Sequence, residues 1–191
     1  MANPIFKAVY SHPELKTADL EAIQAAHEPF GFSKGEVFLK AGQTANNYFL
    51  IETGLLRSFA HDFDGNEITT GFTGANEIMI EVASLFQRKP SVENFIALTD
   101  GVAWKIEFED FQKLYHDIPA FNEWGRAWMS HQLFVAKQRN IDMLTKSATV
   151  RYVNLLKDKP QIVLEAPLKH IATYLGVTNT SLSRIRKEIA T

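Results

Sequence analysis

The stretch that most constrains the fold is PLKHIATYLGVTNTSLSRIRKEIAT, which runs from Pro167 to Thr191. Pro167 suits the first turn of a helix, where a missing N–H costs little. Leu168, Ile171, Ala172 and Leu175 follow at i, i+3, i+4 and i+7 and make one apolar helical stripe. Gly176 stands just past that stripe, where helices commonly end in a left-handed conformation that glycine adopts at little cost. Thr178 suits the N-cap of a second helix, with Leu182, Ile185 and Ile189 as its buried stripe. The small Ala172 lets the two helices cross closely, and Val177 plugs the space beneath the turn. The pattern is a helix-turn-helix, the arrangement that sets one helix in a DNA major groove.

The second helix also has a polar face. Asn179, Thr180, Ser183, Arg184 and Lys187 project away from the apolar stripe. Short hydroxyls and an amide near the N-terminal end, with Arg and Lys behind them, suit base edges and phosphates. These five, with Lys169 of the first helix as a phosphate contact, are the expected DNA-binding residues. Arg184 is the expected guanine reader, and Arg186 points to either side. The same spacing also fits a solvated helix on a small helical domain, with Arg184 paired to Glu188 four residues on.

Charge separates the two readings. The net charge is only −2, which looks wrong for a nucleic-acid binder. From Lys146 to Thr191, however, eight Lys/Arg face three Asp/Glu, net +5, and the rest of the chain holds 12 Lys/Arg against 19 acids, net −7. A basic tail on an acidic body is the asymmetry of a DNA-binding domain joined to something else. The absence of cysteine excludes disulfides, thiol catalysis and thiolate metal sites. The opening residues lack the apolar run of an export signal, and nothing approaches the ~18 consecutive apolar residues of a membrane span. A cytoplasmic protein is expected.

Along the chain, roughly the first thirty residues read as helical, with Leu15, Leu20, Ile23 and Ala26 as a weak stripe and Thr17 or Asp19 as caps. From Phe30 onward, strand-length runs alternate with turn signals. The runs are Glu36–Leu39, Tyr48–Glu52, Leu55–Ala60, Glu67–Phe72, Phe95–Leu98 and Val102–Ile106, which predicts an antiparallel sandwich or barrel. Asp64-Gly65 reads as a hairpin turn. The helical period returns at Phe108, Phe111, Leu114 and Tyr115, and Pro119 closes that face. From Pro119 to about Leu144 only Gly125 interrupts, which predicts a helix of roughly 40 Å. Phe121, Trp124 and Trp128 lie on one line of it; Met129, Leu133, Ala136 and Met143 lie on another. A helix apolar on two faces needs two partners, here the β domain and the same helix of a second copy; a wholly intramolecular core helix is the alternative. Ser147 to Lys157 is one more short helix, ended by Lys157-Asp158-Lys159-Pro160.

This order, with FSKGEVFLKAGQTANNYFLIETGLLRSFAHDFDGNEIT, resembles the superfamily of the cyclic-AMP receptor protein and FNR. Gly35-Glu36, Gly42, Tyr48-Phe49-Leu50-Ile51 and Gly54 carry the resemblance. RYVNLLKDKP and the helix-turn-helix resemble a compact bacterial branch of these regulators. The resemblance implies an α+β fold: an N-terminal double-stranded β-roll (jelly roll), a long dimerisation helix and a C-terminal helix-turn-helix domain. The expected boundaries are 1–118 for a cyclic-nucleotide-binding-like sensor, 119–145 for the dimerisation helix and 146–191 for the DNA-binding domain.

Two departures from the family pattern shape the expectations. Members that bind cyclic AMP carry a Gly-Glu pair and then an Arg-Ser or Arg-Thr step, but here the segment is NEIMIEVASLFQRKPSVENFIAL. No glycine precedes Glu81, and Pro90-Ser91-Val92 stands where the Arg-Ser step belongs. A shifted side chain does not replace one fixed Arg at an anion. Cyclic-AMP binding is therefore not expected; a different small effector, at Glu81, Arg88, Lys89 and Ser91, or none, is. Many relatives also follow the recognition helix with a two-stranded wing. No evident wing follows here, so specificity is expected to rest on the helix from Asn179 to Ala190.

An enzyme is not expected. A β-roll of the metal-dependent cupin kind needs clustered His and carboxylate ligands, yet His61 is the only histidine between His27 and His116. No Walker loop, dinucleotide fingerprint or nucleophile elbow is present. The expected partners are double-stranded DNA, a second copy of the chain and, further on, RNA polymerase, with no membrane. The competing class is a ligand-binding or docking module with degenerate DNA binding.

Overall fold

The computed structural model describes residues 3–189. Two short helices come first, α1 (Pro4–Val9) and α2 (Thr17–Ala25), the latter opened by Asp19, whose carboxylate accepts the Lys16 N–H at 2.8 Å. Strands follow: β1 (Glu28–Phe32), β2 (Val37–Leu39), β3 (Asn47–Thr53), β4 (Leu56–His61), β5 (Glu67–Thr73) and β6 (Glu77–Met79). After a one-and-a-half-turn helix, α3 (Val82–Gln87), come β7 (Asn94–Ala97) and β8 (Gly101–Glu107). They pair antiparallel in two four-stranded sheets, ordered β1-β8-β3-β6 and β2-β7-β4-β5. The expected double-stranded roll of an α+β fold is therefore present.

One local reading is corrected, and two short elements are added. The helical reading of the first thirty residues ends early, because Glu28 to Phe32 pairs with Gly101 to Lys105 of β8. The short strand β6 and the helix α3 were hidden because each is too short to show a period.

The central strand β3 explains the core. Tyr48, Phe49, Leu50 and Ile51 are all buried, so the strand reads as a continuous apolar run rather than an alternation. One of its faces meets the opposite sheet. The other is covered by α1, α2, α4 (Phe108–Asp117) and the start of α5 (Pro119–Thr145), which belong to the same core. Under this cover lies a chain of buried hydroxyls. The Ile23 carbonyl, 2.7 Å from His27 Nδ1, can only accept, so Nδ1 carries the proton. His27 Nε2 then accepts from the Tyr10 hydroxyl at 2.9 Å, and the Tyr10 oxygen accepts from Tyr48 at 3.0 Å.

The long helix α5 runs from this core into open space. Phe121 and Trp124 are buried, Trp124 stacks with Trp128 and donates its indole N–H to the Val9 carbonyl at 3.0 Å. Gly125 has a packing reason: a Cβ there would lie 2.1 Å from the Tyr115 phenol oxygen. Beyond it the apolar residues emerge, with Leu133 72%, Phe134 64% and Leu144 80% exposed. The second apolar line read from the sequence divides accordingly. Leu133 and Ala136 are bare, while Met129 and Met143 are half-buried against the chain itself.

The chain then forms α6 (Ala148–Asp158), α7 (Pro160–Glu165), α8 (Leu168–Tyr174) and α9 (Asn179–Ile189). The helix α7 was missed because Pro160, read as a terminator, instead opens a new helix at its first position. These four helices do not make a separate core. Tyr152, Leu155, Ile162, Ile171, Leu182 and Ile185 pack together with Leu55 and Phe72 of the roll.

Burial lowers the His27 pKa from 6.5 to about 4, against a smaller opposing effect of its bond to Ile23. The unfolded chain therefore takes up a proton at His27 that the folded chain refuses between those values. Stability from this residue is complete above pH ~6.5 and falls by about 3 kcal/mol as the pH drops to about 4. NMR titration should find the His27 ring neutral at pH 5; a midpoint near 6.5 in the folded protein contradicts the buried hydroxyl chain.

Candidate nucleic-acid interface

The turn between α8 and α9 is built by its own main chain. Gly176 takes φ +66°, in the left-handed region. Its N–H donates to the Thr173 carbonyl at 3.1 Å, and the Val177 N–H donates to the Ala172 carbonyl at 3.0 Å. These two bonds are the Schellman ending of a helix, completed by Val177 packing into the same core as Ala172. Pro167 stands one position earlier than expected, as the N-cap of α8. Thr178 caps α9 as expected, its hydroxyl accepting the Ser181 N–H at 3.1 Å.

With the turn fixed, the faces of α9 are set. Leu182 and Ile185 are buried, while the third residue of the expected stripe, Ile189, is 41% exposed. The inner face is shorter than expected, since no further element packs at that end among the described residues. Asn179, Thr180, Ser183, Arg184, Arg186 and Lys187 are all exposed, and so is Lys169 in the first turn of α8. Arg184 does meet Glu188, at 3.7 Å, but the side chains are 76% and 61% exposed, and such a pair is worth a few tenths of a kcal/mol. It leaves the guanidinium available at little cost. Ala190, the last residue of the expected reading helix, lies outside the described residues, as does Thr191.

The opposite side of α8 lies on β5. The Thr69 N–H donates to the Thr173 hydroxyl oxygen at 3.2 Å, and Thr173 donates to the Thr69 hydroxyl at 2.9 Å. That same Thr69 oxygen accepts Arg57 Nε–H at 2.8 Å. Arg57 is buried, lies 4.3 Å over the Phe59 ring and pairs with Glu67 at 2.6 Å. The hydrogen bond from Arg57 holds the Glu67 carboxyl below its ordinary range. His170, on the same side of α8, is lowered from 6.5 to about 4, first by burial and then by Arg57 and Lys169. From α5, Arg139 donates to the carbonyls of Thr70 at 2.7 Å and Tyr174 at 3.2 Å, tying roll and helix-turn-helix to one side chain. None of Arg57, Thr69, Arg139 and Thr173 was picked out from the sequence. The available signal was one Arg inside an otherwise apolar strand start, Leu55-Leu56-Arg57.

The four expected effector residues lie between β6 and β7. Glu81 caps α3, its carboxylate accepting the Ser84 N–H. Arg88 ends α3 in the left-handed conformation and donates to the Ala45 carbonyl at 2.8 Å and to Asn46 Oδ1. Ser91 is buried, with its hydroxyl bonded within its own turn to Glu93. Lys89 is exposed. Three of the four therefore hold the segment in shape. Among the described residues no group of three or more His, Cys, Asp or Glu could hold a metal ion, and no helix is long and apolar enough to cross a membrane.

Residues 30–117 match the cyclic nucleotide-binding domain family. A cGMP-dependent protein kinase of Toxoplasma gondii is 22% identical over 133 residues, 70% of this chain but 12% of the kinase. The matched segment is thus a small part of that enzyme's length. FixK2 from Bradyrhizobium japonicum superposes with a TM-score of 0.76 at 17% identity, over 86% of this chain and 84% of its own. The catabolite activator protein of Thermus thermophilus covers 98% of this chain and 87% of its own, with a TM-score of 0.61 at 18% identity. The fold, from roll to helix-turn-helix, is that of the CRP/FNR proteins.

Replacing Thr173 by Val removes the acceptor of the Thr69 N–H and the donor to its hydroxyl. The cost should be about 1–3 kcal/mol, with faster hydrogen exchange at the Thr69 amide. An unchanged exchange rate contradicts the docking of α8 on β5.

Proposed function

We propose that this chain, built on the CRP/FNR architecture around a cyclic nucleotide-binding domain, is a homodimeric DNA-binding transcription regulator. In this reading residues 1–118 form the sensor, 119–145 the dimerisation helix and 146–191 the DNA-binding domain. The observation that carries it is the face of α9: a capped helix with Asn179, Thr180, Ser183, Arg184 and Lys187 all exposed on its outer side. The bare apolar residues of α5 support the second copy. Phe134, Ile141 and Leu144 recur at spacings of seven and three, the seam of a two-stranded helical pair, and are 64%, 42% and 80% exposed. Leaving such side chains in water forgoes roughly 1.5–3 kcal/mol each.

The mechanism is positional. The paired α5 helices set two recognition helices about one DNA turn apart, ~34 Å, on a near-palindromic site. Arg184 reads a guanine edge, while Lys187 and Lys169 take phosphates. An effector would act by favouring one arrangement of the two heads over another. With Arg88 donating to Ala45 and Asn46, an effector other than cyclic AMP is the proposal.

Mobility shift with genomic fragments at two salt concentrations tests the reading. Retardation that weakens steeply with salt is expected. Arg184→Ala should lose about 1–3 kcal/mol and relax specificity at one position, whereas Lys187→Ala should weaken all sequences alike. No retardation at either salt overturns the DNA reading and leaves a ligand-binding or docking module. Light scattering should show a dimer at micromolar concentration that Phe134→Asp converts to a monomer; a monomeric parent chain overturns the dimer.

A further inference from the structure

The seam that the proposed dimer buries is not wholly apolar. Lys137 stands between Phe134 and Ile141, three residues after the first and four before the second. That spacing puts it on the same face of α5 as both. The surface agrees, because Leu133, Phe134, Lys137, Gln138 and Ile141, with Ser130 a turn earlier, line one shallow groove along the helix. Lys137 is exposed, and among the described residues it makes no ion pair. The helix has no carboxylate to spare for it. The two acids of α5, Glu123 and Asp142, are already paired within the helix, with Arg126 and Lys146.

A free chain leaves this ammonium in water. A parallel pair, which puts both helix-turn-helix domains at one end, places Lys137 opposite Lys137 in a single layer of the seam. The positions that flank such a layer hold Leu133 and Gln138, and neither is charged. Phe134 and Ile141 close it above and below. Water is displaced there, so the two like charges repel more strongly than in the free chains. A charged side chain at one core position lowers the stability of a helical pair and fixes its register. We propose that Lys137 sets the strength of association between two copies: its charge opposes the dimer that Phe134, Ile141 and Leu144 favour. The dimer therefore strengthens when that charge is screened or removed. This rests on the proposed pairing of α5 with a second copy, and not on DNA binding.

Sedimentation equilibrium of the full chain at about 0.1 M and about 1 M NaCl tests this, because the Debye length falls from ~10 Å to ~3 Å between them. The parent dimer should tighten by about tenfold at the higher salt. Lys137→Gln removes the charge without adding apolar surface and keeps the same helix propensity. At the lower salt it should dimerise about tenfold more tightly than the parent, and it should no longer respond to salt. Lys137→Arg, which keeps the charge, should keep the salt response. A parent dimer that weakens with salt shows Lys137 paired with a carboxylate of the second copy and overturns the proposal. A Lys137→Gln dimer with the affinity and salt response of the parent overturns it as well, and leaves the pairing of α5 standing. A chain that stays monomeric at both salts, as the parent and as Lys137→Gln, overturns the pairing itself and this proposal with it.

Discussion

Burial of Phe121 and Trp124 fixes the direction of α5, the helix that carries the chain from the roll toward its last four helices. Phe121 stacks on Trp124 with ring centroids 5.2 Å apart, and Tyr10 closes on Trp124 at 4.6 Å. Aromatic contacts of this kind are worth about 0.5–1.5 kcal/mol beyond their area. They bind the first two turns of α5 to α1 and the roll, and Gly125 lets Tyr115 lie flat across the helix. From there α5 points away from the core as a rigid rod. Its bare apolar residues are then a consequence of its direction, because no other part of the described chain reaches them.

The far end of α5 is tied back by a different kind of interaction. Arg139 and Arg151 donate to the Tyr174 and Leu175 carbonyls, the last turn of α8, where cations are favoured by the helix dipole. Thr69 and Thr173 exchange two hydrogen bonds across the seam between roll and helix-turn-helix, and Phe72 meets Tyr174 edge-on at 5.2 Å. The apolar core is also shared, since Leu55 and Phe72 belong to the same cluster as Leu182 and Ile185. The helix α9 is thus positioned from inside by the sheet, and its partner α8 from the side by α5. Arg57, Thr69 and Thr173 form a continuous hydrogen-bonded link from β4 and β5 to α8.

The parts of this arrangement that follow local rules were legible in the sequence. Gly176, Thr178 and the spacing of Leu168 to Leu175 are a turn and two helices by the chemistry of neighbouring residues alone. The same holds for the roll, where turn residues mark most strand ends. What stayed hidden depends on residues far apart in the chain. Arg57 is an ordinary polar residue until Thr69, Glu67 and α8 cover it; Arg139 gains its role only when Thr70 and Tyr174 come within reach. Glu81, Arg88 and Ser91 show the opposite dependence. Their residue types suit an anion site, but a short helix and two tight turns needed their hydrogen bonds. Composition within a loop does not reveal whether its polar groups face a ligand or the loop itself.

The proposed function requires two copies of α9 held one DNA turn apart. The chain contains no cysteine, so Glu188→Cys, exposed on α9 and outside the proposed DNA contacts, gives a single attachment point for a spin label. Pulsed electron–electron resonance on the labelled protein bound to its operator should give one narrow distance near ~34 Å, allowing for the length of the label. Absence of any dipolar coupling between copies, or a broad distribution that the operator does not narrow, would contradict the account.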